Sequence, residues 1–241
     1  MTTRLNRGGC IVVAALAFLI AAAPSRLAAQ VQPTGALEGM KAPEPDVPEI
    51  FTLMGQYVRV AYNHEGFANL GYRMAQQELG KPWALLVVGL SLREKVDNEK
   101  LTREDLTLQT PDGKTIPLAS QKEYMAAAGP LKALNARAKV VQDSINYFPV
   151  GATQACPIQF FAELDRPGIA YDQVELSPQR GCVGRLYFNI PGGIQPGQHW
   201  FNVKFANSVV KVPFRIFTKE EEKDFKKQWQ DLKKAHDASN K

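Results

Sequence analysis

After Pro149 the chain is cut into short runs that leave little room for helices. The runs cover 158–164, 171–176, 183–190, 199–205 and 209–217, and each is apolar or alternating. Pro167-Gly168, Pro178, Pro191-Gly192-Gly193, Pro196-Gly197 and Asn207-Ser208 stand between them. Proline removes a ladder donor and glycine admits a reversal, so each cluster ends a run. Short strands at near-regular spacing point to a sandwich or barrel and away from alternating βαβ units. No other feature constrains the fold as much.

Upstream the signals are mixed. Residues 56–63 alternate, with Val58, Val60 and Tyr62 on one face and Tyr57, Arg59 and Ala61 on the other. That predicts a half-buried strand. Residues 66–79 read as a helix, with Phe67, Leu70 and Met74 on one stripe and Gly80 as its stop. Residues 83–92 form a nearly continuous apolar run, the pattern of a central strand covered on both faces. Residues 106–118 predict a hairpin around Thr110-Pro111-Asp112-Gly113, because proline presets the first turn residue and Asp-Gly completes the reversal. Residues 120–143 predict one or two inserted helices, opened by the Ser120/Glu123 capping-box spacing and carried by Leu131, Leu134, Ala138 and Val141.

The C-terminal segment, 218–241, repeats the capping-box spacing at Thr218 and Glu221. Phe225, Trp229, Leu232 and His236 follow at helical spacing, predicting an amphipathic helix of about five turns. Seven lysines against six acids leave it electrically balanced. A lone helix of this length is marginal, so docking on its own domain is the favoured reading. The competing reading makes Phe225, Trp229 and Leu232 a partner-binding stripe.

The N-terminus carries an address. Arg4 and Arg7 lead into an apolar run from Cys10 to Ala23, and Leu27-Ala28-Ala29 offers a small-residue cleavage point. That layout predicts a secretory signal over 1–29, its apolar run of about 14 residues being shorter than a membrane span requires. A Pro-rich linker, 30–49, follows, and the ordered domain is expected over 50–217. The leader also holds Arg4, Arg7 and Arg26. Without them 26 basic residues face 24 acidic ones, and a net charge of +5 falls to +2. A nucleic-acid partner loses its main support. Cleavage removes Cys10 as well, leaving Cys156 and Cys182, 26 positions apart. In an exported chain they are expected to form a disulfide; the alternatives are free buried thiols or a redox couple, the last lacking a Cys-x-x-Cys spacing.

Signatures of chemistry are sparse. The three histidines, His64, His199 and His236, are scattered, and His64-Glu65 lacks the second histidine of a zinc-protease helix. No catalytic residue, cofactor or metal ligand is assigned. Glu163 and Asp165, two apart on an expected strand, with Asp172 nearby, are the one carboxylate set that could serve a glycosidase. Adjacent aromatics such as Phe160-Phe161 must point to opposite faces of a strand, so one of them needs a helix to cover it or is displayed.

The run at 83–92, the Thr110-Pro111-Asp112-Gly113 turn and the late Gly184-Arg185-Leu186-Tyr187-Phe188-Asn189-Ile190-Pro191 segment together resemble the telokin-like, immunoglobulin-like domains of exported bacterial proteins. The resemblance spans roughly residues 55–217 and implies a mainly β, immunoglobulin-like β-sandwich, here with inserted helices and a C-terminal amphipathic helix. It carries over no catalytic residues. The expected function is an exported, non-catalytic binding or assembly module of the cell envelope, periplasmic or secreted, recognising a protein or glycan partner. A periplasmic hydrolase using the carboxylate pair is the alternative. A structural or chaperone-like subunit acting through the terminal helix is the other.

Overall fold

The computed structural model describes residues 50–239 apart from 142 and 166–167. The side chains of 50–54, 232, 233 and 235–239 fall outside that description, as do the expected signal segment, 1–29, and the linker, 30–49. The protein is mainly β, with several sheets, inserted helices and a C-terminal helix. In chain order the first half runs β1 (Ile50–Gly55), β2 (Val58–Tyr62), β3 (Gly66–Gly71), α1 (Arg73–Gln77), β4 (Trp83–Leu92), β5 (Glu99–Thr102), β6 (Leu106–Gln109) and β7 (Thr115–Pro117). Then come α2 (Gln121–Ala126), α3 (Ala128–Val140), β8 (Gln154–Ile158), β9 (Gln173–Leu176), β10 (Arg180–Asn189), β11 (Gly197–Lys204), β12 (Val209–Ile216) and α4 (Lys219–Ser239). No helix among the described residues is long and apolar enough to cross a membrane.

A six-stranded sheet has the order β1-β2-β3-β4-β10-β8, and a four-stranded sheet the order β12-β11-β6-β7. β5 and β9 pair separately. The larger sheet is antiparallel except where β8 joins β10 in parallel. The two main sheets contribute to one core: Phe188 on β10 meets Phe201 on β11 edge-on, and Tyr72 just after β3 meets Phe214 on β12. Apolar area removed from water along these faces is the main force holding the layers.

Most local signals are realised. β4 lies between β3 and β10 and is buried along nearly its whole length, as its unbroken apolar run requires. The β6–β7 hairpin turns at Thr110-Pro111-Asp112-Gly113, where Gly113 takes a φ of 84° that a side chain would resist. Both capping boxes form. Ser120 and Glu123 satisfy each other's backbone amides at α2, and Thr218 and Glu221 do so at α4.

Two expectations fail for tertiary reasons. Residues 66–79 are not one helix: 66–71 form β3, paired on both sides, and only Arg73–Gln77 is helical. Without β3, β2 and β4 would each lose a ladder partner, and that cost outweighs a weak helical stripe flanked by glycines. Phe205 packs its ring directly on Gly66, so the position has no space for a side chain. The strand expected at 158–164 instead covers Gln154–Ile158, and the chain then leaves the sheet. The chain leaving the sheet carries both Phe160 and Phe161 into the core, at 1% and 7% exposure.

The β2–β3 turn is tied to the β11–β12 turn by a buried carboxylate. Asn63 Oδ1 accepts from the amides of Glu65 and Gly66, closing the turn locally. Glu65, 5% exposed, accepts from the backbone and side-chain amides of Asn207 and from the Ser208 hydroxyl. Burial opposes its ionisation, but these donors prevail and hold its pKa below the ordinary value. On β11, burial pushes His199 down to about 4 against the opposing bond to the Gly197 carbonyl. Both groups destabilise the fold in acid. An unfolded His199 takes its proton below about 6.5, and the folded one resists until about 4. Glu65 contributes its stability above 4.5 and loses it as pH falls through the lower folded value. Urea midpoints measured from about pH 7 down to pH 3 should therefore fall in two overlapping stages. His199→Phe should remove the upper stage, and Glu65→Gln should cost about 2 kcal/mol near neutrality and flatten the lower one.

Candidate functional site

A cleft of about 610 Å³ opens where α2 and α3 cover the outer face of β10. β10 contributes Arg185 and Tyr187, which are two residues apart and therefore share a face. α2 contributes Tyr124, and α3 contributes Asn135 and Lys139, four apart on one helical face. Ile158 at the end of β8 and residues 159 and 161–165 form the opposite wall. That segment is pinned to α2 by the Ala162 amide, which donates to Gln121 at 3.4 Å.

Three rings, none more than 7% exposed, pack together beneath the cleft. Tyr124, Phe161 and Tyr187 have mutual centroid separations of 4.7, 4.8 and 4.9 Å. Arg103 closes this cluster by laying its guanidinium 4.8 Å from the Phe161 centroid. The phenol tips are organised by Asn135, whose Oδ1 accepts from Tyr187 at 2.5 Å while its Nδ2 donates to Tyr124 at 3.3 Å. Desolvation raises the pKa of both tyrosines, so both remain protonated hydrogen-bonding groups near neutrality. At the rim Lys139 Nζ stands 4.0 Å from Asp165 Oδ2, with both side chains largely in water. Such an exposed pair contributes little to stability.

The bridge candidates meet next to this cleft. Cys156 on β8 lies directly across from Cys182 on β10, and their sulfurs are at disulfide distance. Among the described residues β8 is an edge strand whose only sheet neighbour is β10. The covalent link therefore fastens the strand that delivers Ile158 and the cleft wall. Gly184 lets the two strands approach, because a side chain there would collide with the Ile158 backbone carbonyl.

Glu163 and Asp165 are brought into the cleft, although not by the strand expected to carry them. Asp172 lies outside the cleft lining, just before β9. His64 is exposed at the β2–β3 turn, His199 is buried against Phe214, and the side chain of His236 is outside the described residues. Among the described residues no group of His, Cys, Asp and Glu is arranged to hold a metal ion. On α4, Phe225 is 3% exposed and stacks on Phe217 at 4.7 Å, with Tyr57 beside it. Trp229 is half-buried, and Leu232 has its side chain outside the described residues. Glu222 accepts from the Tyr57 hydroxyl at 2.8 Å, and Gln76 pairs with both backbone groups of Phe217, so the start of α4 is anchored twice.

Tyr124, Asn135, Lys139, Arg185 and Tyr187 escape a reading based on motifs. Their signal is pairwise: Asn135 with Lys139 and Arg185 with Tyr187 each place two polar tips on one face. Nothing local says that those two faces meet. No protein-family model matches this chain, and neither a curated protein nor a solved structure is significantly similar to it.

Proposed function

We propose that this chain is an exported, non-catalytic binding module of a bacterial cell envelope that holds a glycan in the cleft between α3 and β10. The observation that carries this reading is the composition of the cleft: a base of three aromatic rings with an amide, two phenols and charged groups around it. Sugars present flat C–H faces and a fringe of hydroxyls. Ring edges at the floor meet the first over a small area, and fixed polar groups accept or donate to the second. We assign the scaffold to an immunoglobulin-like β-sandwich of the telokin-like kind. Two sheets, antiparallel but for the β8–β10 pair, with core aromatics meeting between them support that assignment. The signal segment and the cysteine pair support an oxidising compartment, periplasmic or outside the cell.

Blocking the cleft without disturbing its base is the direct test. Ala162 lines the cleft and is partly exposed, so Ala162→Trp adds bulk there and removes nothing. On an envelope-glycan array the wild-type chain should retain a subset of glycans, and Ala162→Trp should lose at least about tenfold in affinity, roughly 1.4 kcal/mol. Equal binding by the two proteins would place the seat elsewhere. The hydrolase alternative is favoured by one fact, that Glu163 and Asp165 line the same cleft. It predicts shortened glycan products that disappear in Glu163→Gln or Asp165→Asn.

A further inference from the structure

We propose that the glycan in this cleft is acidic, and that Arg185 receives a carboxylate carried on one of its sugar rings; this rests on the glycan-binding reading above. The cleft holds four charged side chains. Asp165 faces Lys139 across 4.0 Å, and Glu163 is already engaged within the protein. Arg185 differs. Among the described residues it has no carboxylate partner, and the one hydrogen bond it makes is long, from Nη2 to the Ala138 carbonyl at 3.4 Å. A guanidinium carries five N–H donors in a rigid fork, so most of its donors remain unspent.

Most other described arginines are matched; Arg59, fully buried away from the cleft lining with Nε and Nη2 unpaired, is not. Arg73 pairs with Asp143, Arg137 with Glu78, Arg180 with Glu175 and Arg215 with Glu221, at 2.5 to 3.2 Å. Arg93 and Arg103 instead lie over aromatic rings. Arg185 is held on an interior strand, on the same face as Tyr187, and lines the cleft together with Tyr124. A planar carboxylate suits that fork by two parallel hydrogen bonds. The hydroxyls of the same sugar can then meet Asn135, Lys139 and Asp165, which also line the cleft. A bare inorganic anion would use the charge but leave most of a 610 Å³ cleft unfilled. Charge, polar groups and volume converge on a sugar that bears the acid.

The experiment uses the full chain on an array of uronate-, sialate- and muramate-bearing glycans, each printed beside its carboxyl methyl ester. The retained glycan and its ester are then titrated by calorimetry into wild type, Arg185→Lys and Arg185→Gln, with circular dichroism and melting curves confirming that each variant is folded. The acid should bind at least about tenfold more tightly than the ester. That ratio should shrink partly in Arg185→Lys and collapse towards one in Arg185→Gln. Equal binding of acid and ester by wild type would overturn the acidic assignment and leave glycan binding standing. A folded Arg185→Gln that keeps the full acid-to-ester ratio would overturn the role of Arg185. Retention of no glycan would overturn this inference and the binding reading together.

Discussion

Removing the Cys156–Cys182 link, by reduction or as the double Cys→Ala variant, is expected to lower stability by about 3.5 kcal/mol and the melting temperature by on the order of 10 °C. The loop it closes has a sequence separation of 26 residues, and the unlinked unfolded chain regains the entropy that closure had removed. The loss should be local before it is global. Among the described strands β8 is held on one side only, by β10, and its fourth residue, Pro157, cannot donate to the ladder. Hydrogen exchange should therefore rise first at 154–158. Glycan binding should weaken as well, because Ile158 and the segment after it form one wall of the cleft. Alkylation of both cysteines in the native, unreduced protein would show that the link is absent and remove the basis of the prediction.

Phe225→Ala should have a comparable effect by a different route. Truncating a buried phenylalanine costs about 3–5 kcal/mol, from lost transfer energy and the cavity left behind. Here the cavity would open between Phe217, Tyr57 and α4. The first turn of the helix keeps its cap and its ties to Tyr57, Gln76 and Arg215, so it should stay attached. The later turns should fray. Limited proteolysis ought to cut after residue 226 sooner than in wild type, alongside the fall in melting temperature. A Phe225→Ala protein as stable as wild type would sink the docking account and return Phe225, Trp229 and Leu232 to a partner-binding role.

What was legible in the chain follows the range of each interaction. The two capping boxes, the Thr110-Pro111-Asp112-Gly113 reversal and the α2–α3 insertion depend on residues within a few positions of one another, and they stand where expected. The central strand β4 was legible because burial on both faces leaves an unbroken apolar run. The failure at 66–71 has the opposite cause. Phe67, Leu70 and Met74 keep helical spacing, yet the segment forms a strand because two neighbouring strands need its amides and carbonyls. The missed boundary of β8 is of the same kind: its register is chosen by β10 and by the Cys156–Cys182 pairing, not by its own apolar residues.

The carboxylates Glu163 and Asp165 could be picked out in advance, but for a reason that did not hold, since their segment is not a strand. They share a cleft because two buried phenylalanines draw the chain off the sheet and α2 pins it there. Tyr124, Asn135 and Arg185 belong to three elements between residues 121 and 189, and each is unremarkable where it stands. By itself, then, the order of residues determined a mainly β chain, its turns, its caps and the pair of cysteines able to meet. Which strands are neighbours, and therefore which side chains surround the cleft, was decided only when the sheets closed. The physical reason is that caps and turns are satisfied by neighbours in sequence. Backbone ladders and buried rings must find theirs across the whole fold, where the free energy of one segment depends on all the others.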